Sequence, residues 1–214
     1  QAYFSIYLYP DERIKNVVLN GYLITCPIPE EHRHRVPVVV SLVEKTCDLA
    51  SNSLHVIYNR LEKNRTKERF AICVKANYFF YEDLSVKLIE WIELLQLLGA
   101  AKIFFYPLNV HQNITKIFSY YEQRDVVEVT PFTYCGDQPN IAGFQYLYIL
   151  SNKYRKLINE DVSLNDCFYK NMYKYDYIAM LDVDEVIVPK KERTWEDLLK
   201  RTISRGTQSE LPSH

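Results

Sequence analysis

Glycine is scarce in this chain. Five glycines in 214 residues is about a third of the roughly 7% found in ordinary proteins, and Gly21, Gly99, Gly136, Gly143 and Gly206 stand alone. There is no G-x-G-x-x-G fingerprint and no Walker A loop. Any nucleotide handled here is therefore not held by a glycine-rich phosphate cradle. An excess of one charge is missing too: 26 Lys and Arg face 27 Asp and Glu, for a formal net charge of −1. That argues against a nucleic-acid binder, because neutralising phosphates needs a basic face. No apolar run reaches the roughly 18 residues a membrane span requires. The richest stretch, Ile92 to Phe105, is broken by Glu93, Gln96 and Lys102. Cysteines Cys26, Cys47, Cys73, Cys135 and Cys167 show no C-x-x-C and no Cys/His metal spacing. Their odd number leaves one unpaired or paired outside the chain.

What is present describes a globular chain. Hydrophobic residues make up 48% and charged ones 25%, enough apolar material to build a core and too much for disorder. The chain opens on Gln1 rather than Met, shows no signal peptide and ends on Pro212-Ser213-His214 just after a helical segment, so it reads as a piece of a longer protein. Two N-x-S/T sequons, at Asn64 and Asn113, suit a secretory chain.

Periodicity divides the chain at about residue 69. Residues 1–69 carry short β-branched and aromatic runs (Tyr3 to Tyr9, Val17 to Leu19, Tyr22 to Cys26, Val36 to Val43) punctuated by Pro, Asn and Gly, which predict strands. Residues 59–69 form a charged link with no apolar face, expected as a surface loop. Residues 70–214 alternate strand with helix: strands at 70–74, 102–106 and 126–129, and helices around Leu84 to Leu98 and Ile114 to Tyr121. Gly99 falls where a helix C-cap is expected, and Pro107 closes the second strand. Residues 141–174 read as mostly helical with a break near Glu160-Asp161. Tyr177 to Leu181 is one more buried strand, and Thr194-x-x-Asp197 caps a last helix. This order implies an α/β fold with a parallel sheet and right-handed crossovers.

The last buried strand runs straight into Asp182-Val183-Asp184-Glu185. In an open parallel sheet, ligands bind outside the carboxyl ends of the strands. Three carboxylates gathered there repel one another, so something positive should sit among them. Hard oxygen ligands suit Mg²⁺ or Mn²⁺, which use one or two carboxylates plus substrate phosphates. A strand ending in Asp-x-Asp therefore fits a metal–diphosphate site that needs no glycine loop, though a solvated turn would look the same. An EF-hand loop starting at Asp182 would need an oxygen ligand at 186, Gly at 187 and Glu at 193; the chain has Val186, Ile187 and Arg193. A haloacid-dehalogenase-type phosphatase also places Asp-x-Asp-x-Val after a strand. In that family the motif opens the core domain, whereas only 28 residues follow Val186 here.

Several stretches together resemble glycosyltransferase family 92. These are Cys73-Val74-Lys75 with the following helix, Lys102 to Tyr106, Tyr120-Tyr121-Glu122 before Val126 to Val129, and Leu164-Asn165-Asp166-Cys167-Phe168 ahead of Ile178 to Pro189. Tyr7 to Arg13 is similar to an early motif of the same family. The resemblance implies a GT-A-like, Rossmann-type, mostly parallel sheet, incomplete here, with residues 1–69 a small β-rich part and 70–214 the donor-binding part of the catalytic domain. It further implies a type II Golgi membrane protein, lumenal side, anchored by a span absent from this chain and N-glycosylated at Asn64 and Asn113. Its expected reaction is hexosyl transfer, galactose from UDP-galactose to a glycan hydroxyl, with inversion and a divalent metal, Mn²⁺ or Mg²⁺. Asp184 is expected to ligate the metal and Asp182 to contact the metal or the donor, with Glu185 in the same donor-binding motif. Asn165 and Asp166 are expected either to contact the donor or to brace the Asp-x-Asp loop. Cys167 is expected to be buried or disulfide-bonded. The catalytic base is expected beyond the end of the chain, Glu192, Glu196 and Asp197 reading as surface helix residues. The alternative from another class is an inactive glycan- or partner-binding remnant of the same fold.

Overall fold

The computed structural model describes residues 3–5, 23–58, 68–136, 138–151 and 153–206. The expected strand at Val17 to Leu19, the Tyr7 to Arg13 motif, the sequon at Asn64 and most of the charged link lie outside the described residues. The early chain forms two small antiparallel pairs, β1 (Tyr3–Ser5) with β2 (Leu23–Thr25) and β3 (Val39–Val40) with β4 (Leu54–His55).

The remaining elements build an α/β unit. They are β5 (Glu68–Cys73), β6 (Asn77–Phe79), α1 (Ser85–Leu98), β7 (Lys102–Phe105), β8 (Pro107–Val110), α2 (Gln112–Glu122), β9 (Val127–Val129), α3 (Ala142–Ser151) and α4 (Lys153–Asn171), then β10 (Tyr175–Met180) and α5 (Trp195–Gly206). Four strands pair in parallel in the order β10-β5-β7-β9. The chain thus steps outward from β5 to β7 and β9, then crosses back to lay β10 on the other side of β5. The gap between β5 and β10 is the point where strand order reverses, the place where open α/β sheets bind ligands.

Side-chain alternation along β5 decides which helix goes where. Phe70, Ile72 and Val74 pack with Leu88, Trp91, Ile92 and Leu95 of α1 and with Ile114, Phe118 and Tyr121 of α2. Ala71 and Cys73 belong to a second cluster with Phe104, Tyr106, Tyr175 and Cys167 of α4. Cys73 and Cys167 are joined in a disulfide, Cα to Cα 5.9 Å; Cys26, Cys47 and Cys135 are free and exposed.

Helix α1 buries residues at three- and four-residue spacing and stops at Gly99, where φ is +113°. The Gly99 N–H donates to the carbonyls of Leu95 and Gln96, the capping role expected of it. Thr194 caps α5 through a bond from Asp197 N to its Oγ1 at 3.2 Å, and returns one to Asp197 Oδ2 at 2.9 Å.

Three local expectations need correcting. Glu68 and Arg69 belong to β5, not to a loop, with Arg69 reaching Asp176 at 3.9 Å and Glu196 at 4.0 Å. Strand β7 stops at Phe105, and Pro107 opens β8, which pairs in parallel with β6; proline is tolerated at the first residue of a strand. Helix α4 runs unbroken through Glu160 and Asp161. Glu160 finds cations in Lys156 one turn back and in Lys75, which lets its carboxylate sit inside a continuous helix.

Candidate functional site

The Asp182–Glu185 segment is a tight turn with its own bracing. Leu181 N bonds Cys73 O at 3.1 Å, continuing the β10–β5 ladder. Glu185 N then donates to Asp182 O at 2.9 Å, and Asp182 N donates to Glu185 Oε2 at 3.1 Å. One oxygen of the Glu185 carboxylate is thus engaged with the backbone of the turn. Both tryptophans of the chain clamp the end of the turn and the residues just past it. Trp91 Nε1 of α1 donates to Glu185 O at 2.8 Å, and Trp195 Nε1 of α5 to Ile187 O at 2.7 Å. Val183 and Val186 pack onto the main core. A turn held from two helices and its own strand presents Asp182 and Asp184 to a cleft of about 390 Å³.

Across the switch point, β5 delivers Lys75. Its neighbour Ala76 donates its N–H to Ser163 Oγ at 2.9 Å, and fully buried Ser163 anchors this on α4. The Lys75 ammonium lies 2.7 Å from Asp182 Oδ2 and 3.8 Å from Glu160 Oε2. Burial pulls its pKa down, but the Asp182 hydrogen bond and the charges of Glu160, Asp182 and Glu185 outweigh this and hold it above the ordinary lysine value. Burial pushes the Glu160 carboxyl above its usual range, against the opposing charges of Lys75 and Lys156. The result is an alternating chain, Lys156–Glu160–Lys75–Asp182, ending at the Asp-x-Asp turn. The positive charge that the carboxylates required is, in this structure, Lys75. Sequence reasoning passed over it as a site residue; its signal was its place just past the end of the sheet's first strand.

The cleft has two sides. Phe79, Leu88 and Ile114 give it an apolar wall, and Lys75, Lys87, Asp182 and Asp184 a charged rim. Behind Lys75 and Phe79 lies a smaller pocket of about 170 Å³, lined by Tyr78, Tyr134, Tyr146 and Asn159 among others. Buried amides brace it: Asn159 Nδ2 donates to Gln138 Oε1 at 3.0 Å, and Gln145 Nε2 to Asn140 Oδ1 at 3.1 Å.

Asn165 and Asp166 are not at this cleft. Asn165 Nδ2 donates to Asp161 O within α4 at 2.8 Å. Asp166 Oδ2 accepts from the Tyr106 hydroxyl at 2.8 Å and pairs with Lys170 at 2.6 Å. Tyr106 is almost wholly buried, and that burial, followed by the Asp166 bond, drives its pKa far above the usual phenol value, so it stays a donor. Among the described residues these contacts stay within α4 or reach Tyr106, and neither side chain bonds the Asp182–Glu185 turn. Tyr106→Phe is expected to cost about 1.5–3 kcal/mol in urea unfolding, the worth of a hydrogen bond to a charged group. Glu196 pairs with Lys200 and Asp197 with the capping Thr194, as surface helix residues do, whereas Glu192 lies ahead of α5, paired with Arg201 and with its side chain mostly buried. Asn113 donates its side-chain amide to Asp83 Oδ2 at 2.6 Å.

Among the described residues, no group of three or more His, Cys, Asp or Glu side chains is placed to hold a metal ion. Asp182 and Asp184 on one turn nevertheless suit a hard cation that draws its other ligands from phosphate and water. Residues 68–212, about two thirds of the chain, match the model of Glycosyltransferase family 92. The chain belongs to glycosyltransferase family 92. Comparison with curated protein sequences gives no match. A family 92 domain is a transferase domain, and it implies a nucleotide-sugar donor and a glycan acceptor. That membership sets aside the phosphatase reading of Asp182 to Val186. No helix among the described residues is long and apolar enough to cross a membrane.

Proposed function

We propose that this chain is the donor-binding part of a metal-dependent hexosyltransferase that moves galactose from UDP-galactose to a glycan hydroxyl. The observation that carries the proposal is the convergence of Asp182, Asp184 and Lys75 on one cleft at the reversal of strand order. The apolar wall of Phe79, Leu88 and Ile114 offers a surface for the flat nucleobase, and the rim lysines Lys75 and Lys87 attract the diphosphate. Asp184, with Asp182, is assigned to Mn²⁺ or Mg²⁺, which when bound supplies Lewis-acid neutralisation of the leaving diphosphate. Glu185, Trp91 and Trp195 hold the turn in place so that its carboxylates need no rearrangement. The Cys73–Cys167 disulfide and the sequon at Asn113 support an oxidising, lumenal compartment, and we assign the protein to the Golgi lumen on that basis together with its family.

Donor identity is tested by competition in ligand-observed NMR with Mg²⁺ present. UDP-galactose is expected to bind and to be displaced by UDP, while GDP-mannose does neither. Equal binding of UDP- and GDP-sugars would overturn the donor assignment.

A further inference from the structure

We propose that Lys75 is an exchangeable counter-ion of the donor site: it neutralises Asp182 while the cleft lacks a donor, and turns to the diphosphate of an incoming nucleoside diphosphate. This rests on the donor-site reading above and assigns within it a residue that the Asp-x-Asp motif does not contain.

The placement is the first argument. Lys75 follows β5, Asp182 follows β10, and these adjacent parallel strands flank the switch point. The ammonium is 2.7 Å from Asp182 Oδ2, so it covers one of the two oxygens that Asp182 offers a cation at this turn. A cation entering without a donor must compete with it. The second argument is that Lys75 has somewhere to go. Its side chain is 31% exposed and borders both the main cleft and the smaller tyrosine-lined pocket. Four methylenes let the ammonium swing, and Glu160 remains 3.8 Å away as a second counter-charge. The third argument is charge. The cleft is lined by Lys75 and Lys87 against Glu82, Asp182 and Asp184. With Lys75 committed to Asp182, that leaves Lys87 facing two carboxylates, a poor reception for a polyanion. Releasing Lys75 to the diphosphate as a cation takes over Asp182 reverses this, and the exchange couples the two ligands.

A strut that merely ties α4 to the turn would make a different set of predictions, and Lys75→Met separates them. For the exchange role, the variant binds Mn²⁺ alone several-fold more tightly, read from the loss of free-ion signal in electron paramagnetic resonance, because Asp182 is no longer occupied. The same variant binds UDP in EDTA about ten- to hundredfold more weakly, having lost a charge-assisted partner. Lys75→Arg keeps the cation and should hold UDP affinity within a few-fold of wild type. Thermal melts of both variants accompany the titrations. Opposite shifts for metal and UDP support the exchange; a fall in both, or no change in either, overturns it. If the wild type binds neither Mn²⁺ nor UDP, the donor-site reading itself fails and the exchange with it.

Discussion

Reduced in urea and refolded without oxidant, the protein is expected to melt on the order of 10 °C below its oxidised form. Cys73 and Cys167 are separated by 94 residues in sequence, and both are fully buried. Cross-linking a loop of that length removes much of the unfolded chain's freedom, which amounts to about 2–5 kcal/mol. For a protein of this size each kcal/mol moves the melting temperature by about 2–4 °C. The bond also matters for the site. Cys73 lies two residues before Lys75 and pairs in register with Met180, just ahead of the Asp-x-Asp turn, while Cys167 follows Asp166 on α4. The disulfide therefore bolts α4, with Glu160 and Ser163, to the strand that presents Lys75. A Cys73→Ala/Cys167→Ala double variant should match the reduced protein in calorimetry apart from a small packing loss. Coincident melts for the oxidised and reduced protein would show that no such bond stabilises it.

Asp184→Asn is expected to slow metal-supported breakdown of UDP-galactose by about a thousandfold, the scale of charge stabilisation that a bound metal supplies, with the melting temperature unchanged. Asp184 is exposed and has no hydrogen bond or ion pair among the described residues, so its loss disturbs no internal contact. Asp182→Asn should cost comparable activity for a second reason as well, because it leaves Lys75 with Glu160 as its remaining carboxylate neighbour in this chain of charges. Released UDP, followed by chromatography, measures both variants. Activity within tenfold of wild type in Asp184→Asn would remove the metal from the mechanism.

Much of the framework was legible in the sequence because it is local. Leu88, Trp91, Ile92 and Leu95 recur at helical spacing, Gly99 marks the end of α1, Thr194 and Asp197 announce α5, and an apolar strand runs into Asp182. What was hidden depends on contacts between elements distant in the chain. Nothing local says that β10 returns to lie beside β5, so Lys75 could not be paired with Asp182, nor Cys73 chosen among five cysteines as the partner of Cys167. The break expected at Glu160-Asp161 failed for the same reason, since one of the cations that keeps Glu160 satisfied in a helix comes from another element. Strands β6 and β8 are three and four residues long, too short for alternation to register. Glu185 belongs to the Asp-x-Asp motif, and the fold gives one oxygen of its carboxylate to the N–H of Asp182, a bond visible only once the turn is formed.

The central claim is that Asp182 and Asp184 form, with a divalent cation, the diphosphate end of a donor site. Calorimetric titration of UDP into this chain with Mn²⁺, into the same chain in EDTA, and into Asp184→Ala with Mn²⁺ tests it most directly. Saturable one-site binding is predicted in the first case, at least about tenfold weaker binding in the second, and loss of the metal-dependent component in the third. Equal affinity in all three, or no binding in any, would contradict it.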